Sequence, residues 1–209
     1  MTYGFLDIAA TPHVKAAQAT NGSLDFWEGF KGDRAFDRFP DAEAAFVARR
    51  DSFYIATMSE AGWPYVQHRG GPAGFLRVLD DRTLGFADFA GNRQYLSLGN
   101  MAGNDRAALF LMDYPARRRM KIFAHAEVRD LTTSPDLVAA LAVEGYNVKI
   151  ERAMLFHLVA FDWNCPQHIT PRFTEAEIAQ AVAPMREQLR DLERENAALR
   201  AQLAQSATG

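Results

Sequence analysis

The sequence predicts a mainly β domain with flanking helices (α+β), built as a small antiparallel barrel. Short segments rich in aromatic and β-branched residues follow one another between Ser52 and Trp163, with turn signals closely spaced among them. No regular crossover helices separate these segments, as a parallel sheet would require. With 209 residues, 48% of them hydrophobic, the chain suits one domain with appendages and can bury a sizeable core.

Residues 1–40, punctuated by Gly22, Gly29, Gly32 and Pro40, predict a loose or partly helical arm. Pro40 and Asp41 open a short helix, with Asp41 as N-cap and Phe46 and Val47 on its buried face. SFYIATM from Ser52 is the first strand, and Glu60-Ala61-Gly62 supplies its turn. PYVQHRGG, FLRVLD and RTLGFAD follow, the last two joined at Asp80-Asp81-Arg82, and the four segments read as an antiparallel meander. Tyr95, Leu96, Leu98 and Met101 recur at helical spacing, which places a short helix after Gly91. RAALFLMDY and RRMKIFAHAEVRD are two further strands linked through Pro115. Thr133-Ser134-Pro135 then starts a helix over LVAALAV, with Ser134 as N-cap and Pro135 at the first helical position. RAMLFHLVAFDW is the last strand, and NCPQHITPR leaves it as a polar loop.

Composition narrows the partners. The charge balance is 23 basic against 26 acidic side chains, a net charge of −3, so neither nucleic acid nor a membrane surface is an expected partner. Cys165 is the only cysteine, which excludes an intrachain disulfide and a thiolate metal cluster. The five histidines show no paired metal spacing, and no metal is expected. MTYGFLDIAATP does not read as a secretion signal, and the longest strongly apolar run, Ala153 to Phe161, is too short to span a bilayer. A cytoplasmic location is the expectation.

FADFAGNRQYL, residues 86–96, is the most informative segment. A strand ends near Asp88, Gly91 permits a tight turn, and Asn92, Arg93 and Gln94 fall at the start of the predicted helix. Free N–H groups there favour an anion and Arg93 adds a bidentate phosphate donor. An ordinary helix start with a solvated arginine is the alternative.

The segment resembles the phosphate-binding stretch of the pyridoxamine 5′-phosphate oxidases, where a strand leads through Gly-Ser-Arg-Lys into a helix. Gly91-Asn92-Arg93-Gln94 stands at that place: Arg93 keeps the arginine, while Asn92 and Gln94 replace serine and lysine. SFYIATMSEAGWPYVQ looks like the family's opening hairpin, and RAALFLMDY like the strand after its helix. RRRMKIFAHAEV matches the strand carrying a flavin-ring contact, here Arg119. The resemblance covers roughly residues 45–165. WPYVQHRGGPAGFL, TLGFADFAGNRQY and DWNCPQHITPR extend it, over most of residues 40–178, to a bacterial flavin-nucleotide-binding subgroup.

This resemblance implies a split β-barrel that binds flavin mononucleotide (FMN), with the site shared by two chains of a homodimer. It places Ala87, Asp88, Asn92, Arg93 and Gln94 at the cofactor. His68, Arg69 and Gly70 become flavin-edge or substrate contacts, against the alternative of a bulge that bends the strand. Trp163, Gln167, His168 and Arg172 become contacts near the carboxy-terminal end, or else with Asn164 a packed corner closing the barrel. The family's Arg-x-Val-Leu-Leu-Lys is absent, and Phe75-Leu76-Arg77 restores it only in part, with Arg77 near the lysine's place, so the resemblance does not assign pyridoxamine phosphate as the substrate.

Thr174 and Glu177 make a capping-box pattern before a helix over residues 175–204. A heptad runs from Val182, with Leu189, Asn196 and Leu203 at a and Met185, Leu192 and Leu199 at d. A parallel dimeric coiled coil beginning after Pro184 is one reading, and a helix folded back on its own barrel the other. The expected organisation is therefore an arm over 1–40, an FMN-binding split barrel over 41–173 and a carboxy-terminal helix over 174–209. The expected function is an FMN-dependent oxidoreductase acting on a small-molecule substrate or electron donor. The alternatives are a non-catalytic flavin carrier or sensor, and haem handling on the same barrel. No catalytic residue is assigned, because the flavin carries the redox chemistry.

Overall fold

Ser52–Met58 (β1) shows how the strands form: Phe53, Ile55 and Thr57 are buried while the residues between them are not, the period of two that a half-buried strand needs. The computed structural model describes residues 4–30, 36–163 and 165–207; Gly32 and Asn164 lie outside them. Six more strands follow: β2 (Pro64–Gly70), β3 (Arg77–Asp80), β4 (Thr83–Phe89), β5 (Arg106–Asp113), β6 (Arg118–Asp130) and β7 (Ile150–Trp163). They form one antiparallel sheet in the order β2-β1-β5-β6-β7-β4-β3.

The expected four-strand meander is corrected by this order. β1–β2 and β3–β4 are two separate hairpins, and β1 goes on to pair with β5 and β4 with β7. The reason lies in the linker after β2, where Phe75 and Leu76 are fully buried and turn the chain into the core. Gly71 makes room for this, since a Cβ there would lie 2.8 Å from the Phe75 ring.

The sheet curls on itself. Phe53 of β1 meets Phe86 of β4 at 5.4 Å between ring centroids, although their strands stand four places apart in the sheet. Phe156 of β7 stacks on Phe86 at 6.1 Å, and these rings centre the main core. β2 and β3 remain unpaired edges, so the barrel is split.

The arm is helical over α1 (Phe5–Ala9), α2 (Pro12–Thr20) and α3 (Leu24–Glu28), and Phe5 stacks on Phe123 of β6 at 4.3 Å. α4 (Asp41–Ala48) buries Phe46 and Val47 as expected, but Pro40 rather than Asp41 holds the N-cap position. α5 (Leu96–Gly103) and α6 (Pro135–Leu141) flank the sheet, and Val138 and Leu141 of α6 cover Ala87 and Ala153 in a second, smaller core.

By internal contacts the chain divides into Met1–Asp113 with Arg117–Ile169, and Tyr114–Ala116 with Thr170–Gly209. The second unit carries α7 (Glu175–Ser206), opened by the expected Thr174–Glu177 capping box and continuous through Pro184. Among the described residues no helix is long and apolar enough to cross a membrane.

Candidate functional site

Asp88 is an aspartate with 3% exposure near the end of an otherwise apolar strand, and the barrel must neutralise it. The β4–β7 register sets Arg152 directly opposite, and its Nη1 donates to Asp88 Oδ2 at 2.6 Å. Arg69 Nη1, from β2, donates to Asp88 Oδ1 at 2.8 Å. β2 and β4 share no ladder, so this ion pair bridges the open seam of the barrel. The Arg69 guanidinium lies 5.9 Å over the Phe86 ring, and its Nε is buried without a hydrogen-bond partner.

α5 braces the same seam. Ser97 Oγ donates to Gln67 Oε1 at 2.7 Å, and Asn100 Nδ2 donates to Thr57 Oγ1 at 3.0 Å. The connection from β4 to α5 crosses the mouth. There Asn92 Oδ1 accepts from the Gln94 backbone N–H at 3.1 Å, an Asx-turn. Arg93 and Tyr95 take left-handed backbone conformations, with φ of 61° and 54°.

These angles correct the predicted helix start. Left-handed residues cannot sit in a right-handed helix, so α5 begins at Leu96 and Asn92, Arg93 and Gln94 stay in the loop. Gly91 is not the hinge either: its φ is not left-handed, and a Cβ there would meet nothing within 4 Å. Any anion here is therefore held by side chains rather than by the first turn of a helix.

Tyr95 OH donates to Glu151 Oε1 at 3.1 Å, and Arg152 Nη2 to Glu151 Oε2 at 3.1 Å. Tyr95 first, and Glu151 after it, raise the pKa of the Arg93 guanidinium above the ordinary arginine value, so it is a permanent cation at the mouth. The resulting pocket holds about 240 Å³ and brings together three guanidiniums, Arg69, Arg93 and Arg152, against two carboxylates, Asp88 and Glu151. One positive charge is left over, and the pocket suits an anion.

Of the residues expected at a cofactor, His68, Arg69, Gly70, Asp88, Asn92 and Arg93 line this pocket. Gln94 sits in the same loop without lining it, and Ala87 points to the small core under α6. Arg119 on β6 lies outside the pocket, its Nε buried and without a hydrogen-bond partner. Trp163 donates from Nε1 to Glu43 Oε1 at 3.1 Å, edge-on to Phe46 and 4.2 Å beneath the Arg118 guanidinium. Gln167 and His168 are exposed beyond β7, and Arg172, in the second unit, lies 4.9 Å over the Tyr114 ring. Arg77, near the place of the family lysine, donates to the Ala140 and Ala142 carbonyl oxygens at the end of α6.

Tyr95, Glu151 and Arg152 were not foreseen as site residues. Glu151 and Arg152 flank the start of a long apolar strand, a local hint of a strand mouth. What brings Arg152 to Asp88, however, is a pairing between residues 64 apart.

An antiparallel split barrel with an arginine-rich pocket at its open seam defines the class of this protein. Residues 39–157, more than half of the chain, match the family model described as pyridoxamine 5′-phosphate oxidase, and the chain belongs to that family. No curated protein matches the sequence. Among solved structures, the chain is similar to HupZ of Group A Streptococcus, with 12% identity over 64% of this chain and 98% of that one and a TM-score of 0.49. It is also similar to an FMN-binding protein from Syntrophomonas wolfei subsp. wolfei, with 14% identity, 72% and 97% coverage and a TM-score of 0.44. General Stress Protein 26 from Bacillus anthracis stands at 10% identity, 62% and 92% coverage and a TM-score of 0.41.

Proposed function

We propose that this protein binds FMN at the barrel seam and acts as an oxidoreductase on a small molecule. The observation that carries the reading is the pocket's surplus cation in a chain of this family: Arg93 at the mouth and Arg69, with a buried unpartnered Nε, below it. A phosphate fits this site, because an incoming oxyanion could accept from the exposed guanidinium of Arg93, with the charges of Arg69 and Arg152 beneath it. When bound, the flavin would supply the electron transfer.

The residues in hand bind and orient. Arg69 and Arg93 would hold the phosphate end, Asp88 would keep Arg69 and Arg152 in place, and Phe86 would floor the pocket. A volume of about 240 Å³ falls below the ~300–1,000 Å³ of pockets that enclose a drug-sized ligand. The phosphate end can therefore be enclosed while the ring system extends past the mouth. This supports a site completed by a second chain, with Arg119, Trp163, Gln167, His168 and Arg172 as the candidates for the ring. A homodimer would have a surface to use: Ala56, Met58, Ala108 and Phe123 line an apolar hollow of about 440 Å³ on the outer face of the sheet. With Arg77 committed to α6, the geometry favours a substrate other than pyridoxamine phosphate.

Titration of the apo-protein with FMN and with riboflavin tests the reading. FMN should bind much more tightly; equal affinity would remove the phosphate site. The visible spectrum of the purified protein is the second check, and a haem Soret band in place of flavin bands would favour the haem alternative.

A further inference from the structure

α7 presents an apolar stripe from Ile178 to Leu203. The helix begins at Glu175, as expected, and the same register carried back from Val182 adds Ile178 to the d positions Met185, Leu192 and Leu199. The a positions are Val182, Leu189, Asn196 and Leu203. Every leucine of this stripe is more than half exposed, Met185 is 68% exposed, and α7 contains no buried residue. Monomeric proteins rarely leave so continuous an apolar stripe in water. The opposite side is polar, with Glu187 and Arg194 at f and an ion pair between Arg194 and Asp191.

We infer that α7 pairs with α7 of a second copy of this chain as a parallel, in-register, two-stranded coiled coil. Four features select this occupant. The stripe repeats every 3.5 residues, the period of a two-helix seam rather than of a helix lying on a broad core. Between Ile178 and Leu203 Asn196 is the one polar residue in the seam, and Ser206 at d ends it. In a parallel, in-register pair its amide meets its own symmetry mate, whereas an antiparallel pair would set it against an apolar side chain and leave it unsatisfied. Across the flanks, g meets e of the next heptad: Glu195 faces Arg200 of the second copy, Gln188 faces Glu193 and Ala181 faces Arg186. One contact is attractive and none sets like charges together. Finally, Pro184 falls at position c, outside the seam, so its ring does not interrupt the packing.

Directed cross-linking of the full chain tests this independently of any flavin. In a Cys165→Ser background, Leu199→Cys places a thiol at d and Arg194→Cys places one at f. Facing d positions bring two Cβ atoms within disulfide range, and f positions do not. Mild oxidation should link the Leu199→Cys chains into covalent dimers more than about tenfold faster than the Arg194→Cys chains, because the pair is held at high effective concentration. Met185→Cys should behave like Leu199→Cys. Equal rates for the d and f variants would overturn the pairing. Links that form only when Met185→Cys and Leu203→Cys chains are mixed, with neither linking alone, would mark an antiparallel arrangement and overturn the parallel one. Circular dichroism should show the helix retained in each variant, so that slow linking is not mistaken for unfolding.

Discussion

Asp88 and Arg93 divide the work of the seam pocket between a buried charge and an exposed one. The carboxylate of Asp88 is buried and held by two guanidiniums, so removing its charge strands Arg69 and leaves Arg152 with Glu151 alone. Asp88→Asn should lower stability by about 3–5 kcal/mol, the cost of breaking a buried ion pair. Thermal melts should show part of that loss recovered in phosphate buffer relative to chloride at equal ionic strength. No recovery would mean that the freed arginines do not take an anion. Arg93 is the converse case: its guanidinium is open to solvent and its backbone is left-handed. Arg93→Gly keeps that backbone at no steric cost while deleting the cation. FMN affinity, read from quenching of flavin fluorescence, should fall by roughly one to two orders of magnitude, the range of a charge-assisted hydrogen bond, with the melting temperature held or raised. Unchanged affinity would return Arg93 to the role of a solvated turn residue. Arg93, Arg69 and His68 were legible in the sequence because the turn and the glycine pair beside them are local. Arg152 was not, because only the β4–β7 register makes it a neighbour of Asp88.

At the scale of elements, the structure is legible in the sequence where local patterns decide it. Ser52–Met58 and Arg118–Asp130 form strands with the expected bounds, and Ser134-Pro135 opens α6. It is not legible where tertiary packing decides. β3 starts at Arg77, two residues later than expected, because Phe75 and Leu76 were claimed by the core. The pairing of the first four strands was misread because adjacency in sequence says nothing about which edge receives β5 or β7. The linker gives a direct test: Gly71→Ala would push a methyl group into the Phe75 ring and should cost about 1–3 kcal/mol in chemical denaturation, as overpacking does. No loss would mean that Phe75 moves aside freely. The turn from β6 into α6 gives a second. Thr132 donates to the Asp130 carboxylate from both its hydroxyl and its backbone N–H, which lowers the pKa of Asp130 below the ordinary carboxylate value. A carboxylate lowered in the folded state contributes stability above its unfolded pKa and loses that contribution as pH falls through the folded one. A carbon-detected NMR titration should therefore place Asp130 below a free aspartate, and Thr132→Val should move it back up.

At the scale of the molecule, the proposed dimer has two surfaces available to it, and they need not be equally important. The hollow on the outer sheet face belongs to the barrel, and the heptad stripe belongs to α7, in a different unit of the chain. If the flavin ring is completed by a second barrel, as proposed, the barrel contact must be sufficient by itself to hold the site together. Cutting the chain after Arg172 removes α7 and leaves every residue that lines the seam pocket. The truncated protein should stay a dimer in light scattering and keep one FMN per chain, with affinity within about threefold of the full chain, a shift worth less than 1 kcal/mol. The full chain should resist dissociation to lower concentrations than the truncated one, because a second linked contact acts at high effective concentration. A full-length monomer that holds FMN would defeat the shared site. A truncated monomer that loses FMN, beside a full-length dimer that binds it, would make α7 the main support of the assembly and the barrel contact secondary.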